Sequence, residues 1–232
     1  MKIWPAALAC IVLIFAFAMS LTRGDELRAE RVALVPAPGY QAPKPSGPQT
    51  AIFAGGCFWG VQGVFSHVEG VLRVEAGYAG GDSSTADYEK VSSGTTGHAE
   101  AVRIVYDPAK VSYGSLMRVF FSVVADPTTR DYQGPDHGSQ YRSAIFPTTP
   151  DQKVEASRYL AQLGGADIWP NPIVTRIESG RFYPAEGYHQ DFMYRKPDHP
   201  YIRAYDLPKL SAFRRLFPDL YRAQPVLTRK TG

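Results

Sequence analysis

Cysteine is scarce in this sequence, which has only two among its 232 residues, Cys10 and Cys57. Cys10 lies within an apolar N-terminal run, so the rest of the chain holds a single thiol. One thiol cannot form an internal disulfide, which excludes a disulfide scaffold, and it argues against a cysteine-rich zinc site. None of the five histidines pair at the H-x-x-x-H spacing of a helical metal site. We therefore expect no metal site.

An excess of charge of one sign is also missing. The chain has 25 Lys and Arg against 22 Asp and Glu, a formal net charge of +3, and no dense basic run. Because nucleic-acid binding depends on clustered basic side chains, nucleic acid is not an expected partner. The length suits one globular domain with extra terminal segments, and it allows a sizeable apolar core.

Polar residues are nearly absent from the N-terminus, where residues 3–21 are apolar except for Ser20. The run is long enough to span a bilayer, which takes about 20 residues. Residues 16–18, Ala-Phe-Ala, also offer the small-residue spacing that a signal peptidase needs. Residues 1–22 are therefore predicted to be either a signal peptide or a membrane anchor, with residues 3–21 as the tether in the second case. Either prediction places the remainder in the periplasm or another extracytoplasmic space.

The next segment, residues 23–49, begins with charged residues and then becomes rich in proline and alanine. Five prolines, at positions 36, 38, 43, 45 and 48, favour an extended polyproline-like backbone without a packed core. We predict a linker here, followed by a catalytic domain over residues 50–232.

Apolar periodicity divides this domain into strands and helices. Strands are predicted at residues 50–54, 71–78, 99–106, 140–146 and 172–178. Helices are predicted after Cys57, after Ser112, over residues 150–163 and over residues 209–217. The elements mix without strict alternation, so the predicted fold class is α+β, a two-layer α/β sandwich with a mixed sheet.

The strongest chemical signal is the segment GGCFWG at residues 55–60. Cys57 stands between a strand and a helix, where backbone N–H groups and the helix dipole would lower the pKa of the thiol. Gly56 allows a tight turn and a close approach of substrate, and Phe58 and Trp59 place aromatic rings beside the sulfur. The alternative is a small buried residue between aromatic core residues, and the pattern alone leaves it open.

Glu100 is the second candidate, because strand alternation places it on the same face as Val102, Ile104 and Tyr106. A buried carboxylate is costly unless it is paired or neutral, and burial raises its pKa. A protonated carboxyl near a thiol is what a reaction needs when oxygen must leave. A salt bridge to Arg103 or Arg142, or a strand turned outward, remains an alternative.

Five segments resemble, in order, those of the peptide methionine sulfoxide reductase A family. They are GCFWG at 56–60, AGYAGG at 76–81, TGHAEAV at 96–102, DHGSQYRS at 136–143 and YPAEGYHQ at 183–190. The resemblance covers about residues 50–217 and implies a fold related to the ferredoxin-like arrangement. Gly187 stands where the family commonly has an acidic residue, and we expect this to loosen the local hydrogen bonds.

The resemblance also implies a role for each matching polar residue. Cys57 would be the nucleophile, and Glu100 would protonate the sulfoxide oxygen. Tyr88 and Tyr141 would hydrogen-bond that oxygen, while Asp136 would help to hold the site. These residues are otherwise weak candidates, because the chain has fourteen tyrosines and aspartate in a polar loop is usually a turn former.

For the apolar part of the site, the resemblance implies that Phe58 and Trp59 form a pocket for the substrate methyl group, with Gly56 beside it. Aromatic rings favour contact with methyl groups and sulfur. The implied activity is reduction of the S epimer of methionine sulfoxide, in oxidised proteins and peptides and as the free amino acid. Attack by Cys57 would leave a sulfenic acid, which a thiol must reduce.

The sequence departs from the commoner family pattern in its tail, where residues 225–232 contain no resolving cysteine. The reductant is therefore expected to be an external thiol such as thioredoxin, glutaredoxin or a periplasmic equivalent, and the resemblance implies no bound cofactor. We expect a monomer. Two alternatives remain: a cysteine hydrolase with His98 or His189 as the base, and a non-catalytic peptide-binding module.

Overall fold

The computed structural model describes residues 32–228. The expected signal or anchor segment and the first part of the expected linker lie outside these residues, so both stay predictions. Between residues 32 and 228, no helix has the length and apolar character needed to cross a membrane.

A six-stranded sheet organises the described part of the chain. Its strands are β1 (Gln49–Gly55), β2 (Val71–Ala79), β3 (Ala99–Tyr106), β6 (Ser143–Ile145), β7 (Arg176–Ile177) and β8 (Phe182–Pro184). They lie side by side in the order β7-β6-β1-β3-β2-β8. A separate hairpin consists of β4 (Tyr132–Gln133) and β5 (Asp136–His137). All neighbours in the large sheet are antiparallel except the parallel pair β6 and β7. The predicted α+β class with a mixed sheet is confirmed.

Helices join and cover these strands. They are α1 (Phe58–Ser66), α2 (Tyr88–Val91), α3 (Tyr113–Val119), α4 (Pro150–Gly164), α5 (Phe192–Arg195) and α6 (Leu207–Leu216). Helix α3 begins as expected, because the Ser112 side chain accepts a hydrogen bond from the backbone N–H of Ser115 at 3.0 Å. The Thr149 hydroxyl caps α4 in the same way, ahead of Pro150 in the first turn.

The core forms between one face of the sheet and the helices. Phe53 of β1 is fully buried, with ring centroids 5.6 Å from Phe65 of α1 and 5.2 Å from Phe120. Val102 and Ile104 of β3 are also fully buried. Because side chains alternate along a strand, the same register carries Glu100 inward, as the sequence predicts.

Two of the predicted strands are shorter than expected. Residues 139–141 form a 3₁₀ turn closed by a hydrogen bond from Tyr141 N–H to Gly138 O at 2.9 Å, so the strand there begins only at Ser143. In the strand predicted at residues 172–178, Val174 N–H donates to Pro127 O at 2.7 Å, and β7 is only two residues long. Loop contacts replace sheet pairing in both places.

Part of the expected linker is docked on the domain. Residues 32–48 are largely extended, as their prolines predict, but Val35 is fully buried and donates its N–H to Ser122 Oγ at 3.2 Å. The Tyr159 hydroxyl donates to Pro36 O at 2.8 Å. The expectation of a segment without packed contacts is therefore wrong for these residues, since the domain binds backbone groups that a polyproline conformation leaves free.

Candidate active site

Cys57 occupies the turn between β1 and α1, as the sequence predicts. It is the N-cap residue of α1 and is partly exposed. Gly56 before it has φ of +89°, and a Cβ there would lie 2.6 Å from the Cβ of Gln133. Both the backbone angle and the space therefore require glycine. This explains Gly56 as a turn residue, whereas its expected role toward substrate stays a prediction.

Glu100 lies directly beside this turn. Glu100 is 2% exposed, and its Oε2 accepts a hydrogen bond of 3.0 Å from the backbone N–H of Phe58. Burial raises the pKa of the carboxyl to about 8, with the Phe58 N–H opposing and the Asp136 charge adding to the shift. Glu100 therefore keeps its proton at neutral pH.

The sequence-based alternatives for Glu100 are wrong. The Arg103 guanidinium binds Glu75 instead, with its Nε 2.9 Å from Oε2, and the Arg142 guanidinium binds Glu178 at 2.8 Å. The strand faces inward at Glu100.

The pKa of the Cys57 thiol differs from the expectation. Burial around the sulfur raises it well above its ordinary value, and the nearby carboxyls of Glu100, Asp206 and Asp136 raise it further. The backbone N–H of Trp59 does lower the pKa, which is the predicted effect of a helix start. The expected net lowering is wrong, because burial and three carboxyl groups outweigh one N–H donor.

The structure brings Tyr88, Tyr141 and Asp136 together with these two residues. The pKa of both tyrosines is raised first by burial and then by neighbouring groups that include Glu100, Asp136 and Cys57. Both phenols are therefore protonated and able to donate hydrogen bonds. Burial also raises the pKa of Asp136.

An aromatic wall adjoins the thiol. The indole of Trp59 is stacked on Phe192 with ring centroids 3.9 Å apart, and its Nε1 donates to His189 Nδ1 at 3.1 Å. Phe58 is 1% exposed and lies 5.0 Å from the His189 ring. Of Phe58 and Trp59, only Trp59 therefore offers exposed apolar surface.

Some residues of the site were not found from the sequence. The Tyr201 hydroxyl donates a short hydrogen bond to Asp136 Oδ2, and Glu186 accepts from the Tyr78 hydroxyl at 2.8 Å and from Tyr88 N–H at 2.9 Å. Tyr201 lies in an irregular segment that gives no periodic signal. Glu186 belongs to a recognised motif, but its position alone does not reveal its partners.

Asp206 was also missed, although the sequence holds one indirect signal. The residue is fully buried against α1, where a Cβ on Gly60 would lie 2.1 Å from Asp206 Oδ1. Glycine within a helix often marks such a close approach. The glycine that closes the GCFWG motif therefore makes room for this carboxyl.

Arg142 connects the two segments that supply the carboxyls. Its guanidinium donates to Gly97 O at 3.0 Å and His98 O at 3.2 Å, just before β3, and to Ser139 O at 2.8 Å, just after β5. Glu178 balances its charge. The segments that carry Glu100 and Asp136 are thus both hydrogen-bonded to the Arg142 guanidinium.

In the described part of the chain, neither of the histidines that a hydrolase would use is hydrogen-bonded to Cys57. His98 Nδ1 accepts from Gly81 N–H at 3.2 Å and its Nε2 lies 3.0 Å from Asp82 O, while His189 Nδ1 accepts from Trp59 and its Nε2 is buried without a hydrogen-bond partner. A base in a Cys–His pair must contact the thiol, so this arrangement disfavours the hydrolase. Within residues 32–228, no cluster of three or more His, Cys, Asp or Glu side chains is placed to hold a metal ion.

Comparison with known proteins identifies the family. The family model described as Peptide methionine sulfoxide reductase matches residues 49–220. The chain is 57% identical over 182 residues to peptide methionine sulfoxide reductase MsrA 2 of Mesorhizobium japonicum, covering 78% of this chain and 93% of that protein. It is 52% identical over 179 residues to MsrA 2 of Synechocystis, covering 77% and 84%.

Solved structures agree with this. Mxr1 from Saccharomyces cerevisiae in reduced form superposes with a TM-score of 0.58 at 29% identity, covering 69% of this chain and 92% of that one. Methionine sulfoxide reductase A of Corynebacterium diphtheriae gives 0.55 at 29% identity, covering 73% and 87%. The resemblance seen in the sequence motifs is confirmed: the chain belongs to the peptide methionine sulfoxide reductase family.

Proposed function

We propose that the protein reduces the S epimer of methionine sulfoxide, in oxidised proteins and peptides and as the free amino acid, with Cys57 as the nucleophile. The observation that carries the mechanism is the buried, protonated Glu100 held beside the start of α1 by the Phe58 N–H. A neutral carboxyl at this place can give a proton to an oxygen that is bound next to the thiol.

In the first step, the sulfur of Cys57 attacks the sulfoxide sulfur while Glu100 protonates the oxygen. The thiol proton is released in the same step and restores Glu100; this transfer is needed because burial raises the pKa of the thiol. Overall the oxygen passes from the substrate sulfur to Cys57, giving methionine and a cysteine sulfenic acid. Two electrons leave the cysteine sulfur and reduce the substrate sulfur.

Tyr88 and Tyr141 donate hydrogen bonds to the sulfoxide oxygen, since burial and neighbouring charges keep their hydroxyls protonated. Asp136, held by Tyr201, sustains the raised pKa of Glu100. The exposed face of Trp59 receives the substrate methyl group, and fixing methyl and oxygen at separate places selects one epimer.

Two molecules of an external thiol, or one dithiol, then reduce the sulfenic acid and release water. Cys57 is the one cysteine in residues 23–232. This supports a thioredoxin-like protein, glutaredoxin or a periplasmic equivalent as the reductant. The proposed cycle requires no bound cofactor.

The apolar run at residues 3–21 supports an exported or membrane-anchored protein in the periplasm or another extracytoplasmic space. We propose that it acts as a monomer.

The test is turnover of separate S and R epimers of a methionine sulfoxide peptide with dithiothreitol, with Cys57→Ser as the control. We expect reduction of the S epimer alone, and none by the variant. Equal reduction of both epimers would refute the proposed selectivity, and activity in Cys57→Ser would refute the nucleophile.

A further inference from the structure

An apolar groove of 310 Å³ lies beside the aromatic wall, and we call it the Trp59 groove. It is lined chiefly by Trp59, Met193, Tyr194, Leu207, Leu210 and Leu227. Its size falls within the usual range for a pocket that binds organic groups, roughly 300–1,000 Å³. Apart from Trp59, none of these side chains takes part in the chemistry proposed above.

Several polar groups in its walls already have hydrogen-bond partners. Gln62 Oε1 accepts from Asp191 N–H at 2.9 Å, and the Asp191 carboxylate accepts from Thr228 N–H at 3.0 Å. His67 Nδ1 lies 2.8 Å from the carbonyl oxygen of Arg222. The groove therefore offers a ligand mainly apolar contact, which favours aliphatic and aromatic groups over charged ones.

The groove combines a packed floor with an accessible rim. Met193 is 6% exposed and packs on Gly63, where a Cβ would lie 2.2 Å from its sulfur. At the rim, Tyr194 is 57% exposed and Leu227 is 37% exposed. The rim, and not the packed Met193 side chain, is therefore the part of the groove that a ligand can reach.

Trp59 is the residue that the groove shares with the active site. The ring that is proposed to receive the substrate methyl group also forms part of the groove wall. An extended peptide advances at most about 3.3–3.6 Å per residue, so residues close in sequence to a bound methionine sulfoxide reach past this ring. The last four residues of the chain, Arg-Lys-Thr-Gly, are polar and do not match the groove.

We propose that the Trp59 groove binds apolar side chains that flank methionine sulfoxide in an unfolded or locally unfolded polypeptide. The inference rests on the proposed function, because it names the kind of peptide that the same site prefers. Such side chains are buried in folded proteins, so the groove directs the enzyme toward damaged chains that have lost their packing.

The kinetic test uses the full chain and two S-sulfoxide peptides, one with leucine and one with serine on both sides of the oxidised methionine. Each kcat/KM is divided by that for free methionine sulfoxide. We expect the wild type to favour the leucine peptide about tenfold, the effect of burying part of one side chain. The double variant Leu210→Asn, Leu227→Asn should lose this preference, whereas Leu72→Asn, at a residue 46% exposed on β2, should keep it.

A binding test separates this inference from the proposed function. Fluorescence anisotropy of the two unoxidised peptides with Cys57→Ser should show tighter binding of the leucine peptide, lost when the groove substitutions are added. Equal binding of both peptides would overturn the groove assignment even if sulfoxide is reduced. A shift from dimer to monomer on groove substitution would also overturn it, by assigning the groove to a second copy. Tighter leucine binding without any turnover by the wild type would uphold the groove and refute the reductase.

Discussion

The backbone N–H of Phe58 donates a hydrogen bond of 3.0 Å to the carboxyl of Glu100. Phe58 directly follows Cys57, so the proton donor is attached to the same turn that presents the nucleophile. This N–H is one of the four at the start of a helix that lack an intrahelical partner. The first turn of α1 thus fixes the carboxyl as well as the sulfur.

Replacing Glu100 with Gln should slow reduction of the S-sulfoxide by about 10²–10⁴-fold, the usual contribution of a general acid. The wild-type rate should fall as pH rises through about 8, where Glu100 loses its proton, and the variant should lack this decline. Steady-state kinetics across pH measures both effects. Glu75→Gln is the matched control, since Glu75 is a buried carboxylate on β2 that pairs with Arg73 and Arg103. An unchanged kcat in Glu100→Gln would remove its assignment as the acid.

The raised pKa of Glu100 also predicts a pH dependence of stability. In the unfolded chain this carboxyl ionises near its ordinary 4.5, whereas in the folded protein it keeps its proton to about 8. The folded state thus binds more protons between these values, so the free energy of unfolding should fall as pH rises from about 4.5 to 8. Urea denaturation should show a shallower fall for Glu100→Gln. Parallel curves for the two proteins would contradict the raised pKa.

Replacing Asp136 with Asn should move the high-pH decline in activity toward lower pH. The charge of Asp136 raises the pKa of Glu100, and asparagine keeps nearly the same shape without that charge. Steady-state kinetics across pH measures the shift. A decline that stays in place, or moves to higher pH, would count against this coupling.

Without added thiol, the enzyme should release about one methionine per molecule and then stop. Cys57 would by then be a sulfenic acid, and residues 225–232 supply no second cysteine to reduce it. Quantifying methionine and trapping the sulfenic acid with dimedone tests this. Repeated turnover in the absence of thiol would refute the single-cysteine cycle.

The docked N-terminal segment should stabilise the domain. Val35→Ala should lower the free energy of unfolding by about 1–2 kcal/mol, since it removes two buried methyl groups. Leu34→Ala is the adjacent control, because Leu34 is 52% exposed while Val35 is fully buried. Equal unfolding curves for the two variants would show that the segment is not part of the folded unit.

The sequence predicts the parts of the site that depend on local pattern. Strand alternation in β3 predicts the burial of Glu100, and the glycines before Cys57 predict its turn at the start of α1. Both follow from neighbouring residues, which set the direction of a side chain relative to its own element.

The remaining features depend on contacts between distant segments. The pKa of Cys57 was expected to be lowered, but it is raised, first by burial and then by carboxyls that include Asp206 and Asp136 from far along the chain. The Tyr201 contact with Asp136 has no local pattern. The docking of Val35 was missed because one valine among prolines has no periodicity, and its partner Ser122 belongs to another element.

The guanidinium of Arg142 has a consequence for how the site responds to heat. It is bonded to the carbonyls of Gly97, three residues before Glu100, and Ser139, three residues after Asp136, and Glu178 holds it in place. One buried side chain thus ties together the two segments that supply the carboxyls. Because separating these segments breaks buried bonds of the fold itself, we expect activity and structure to be lost in one thermal transition.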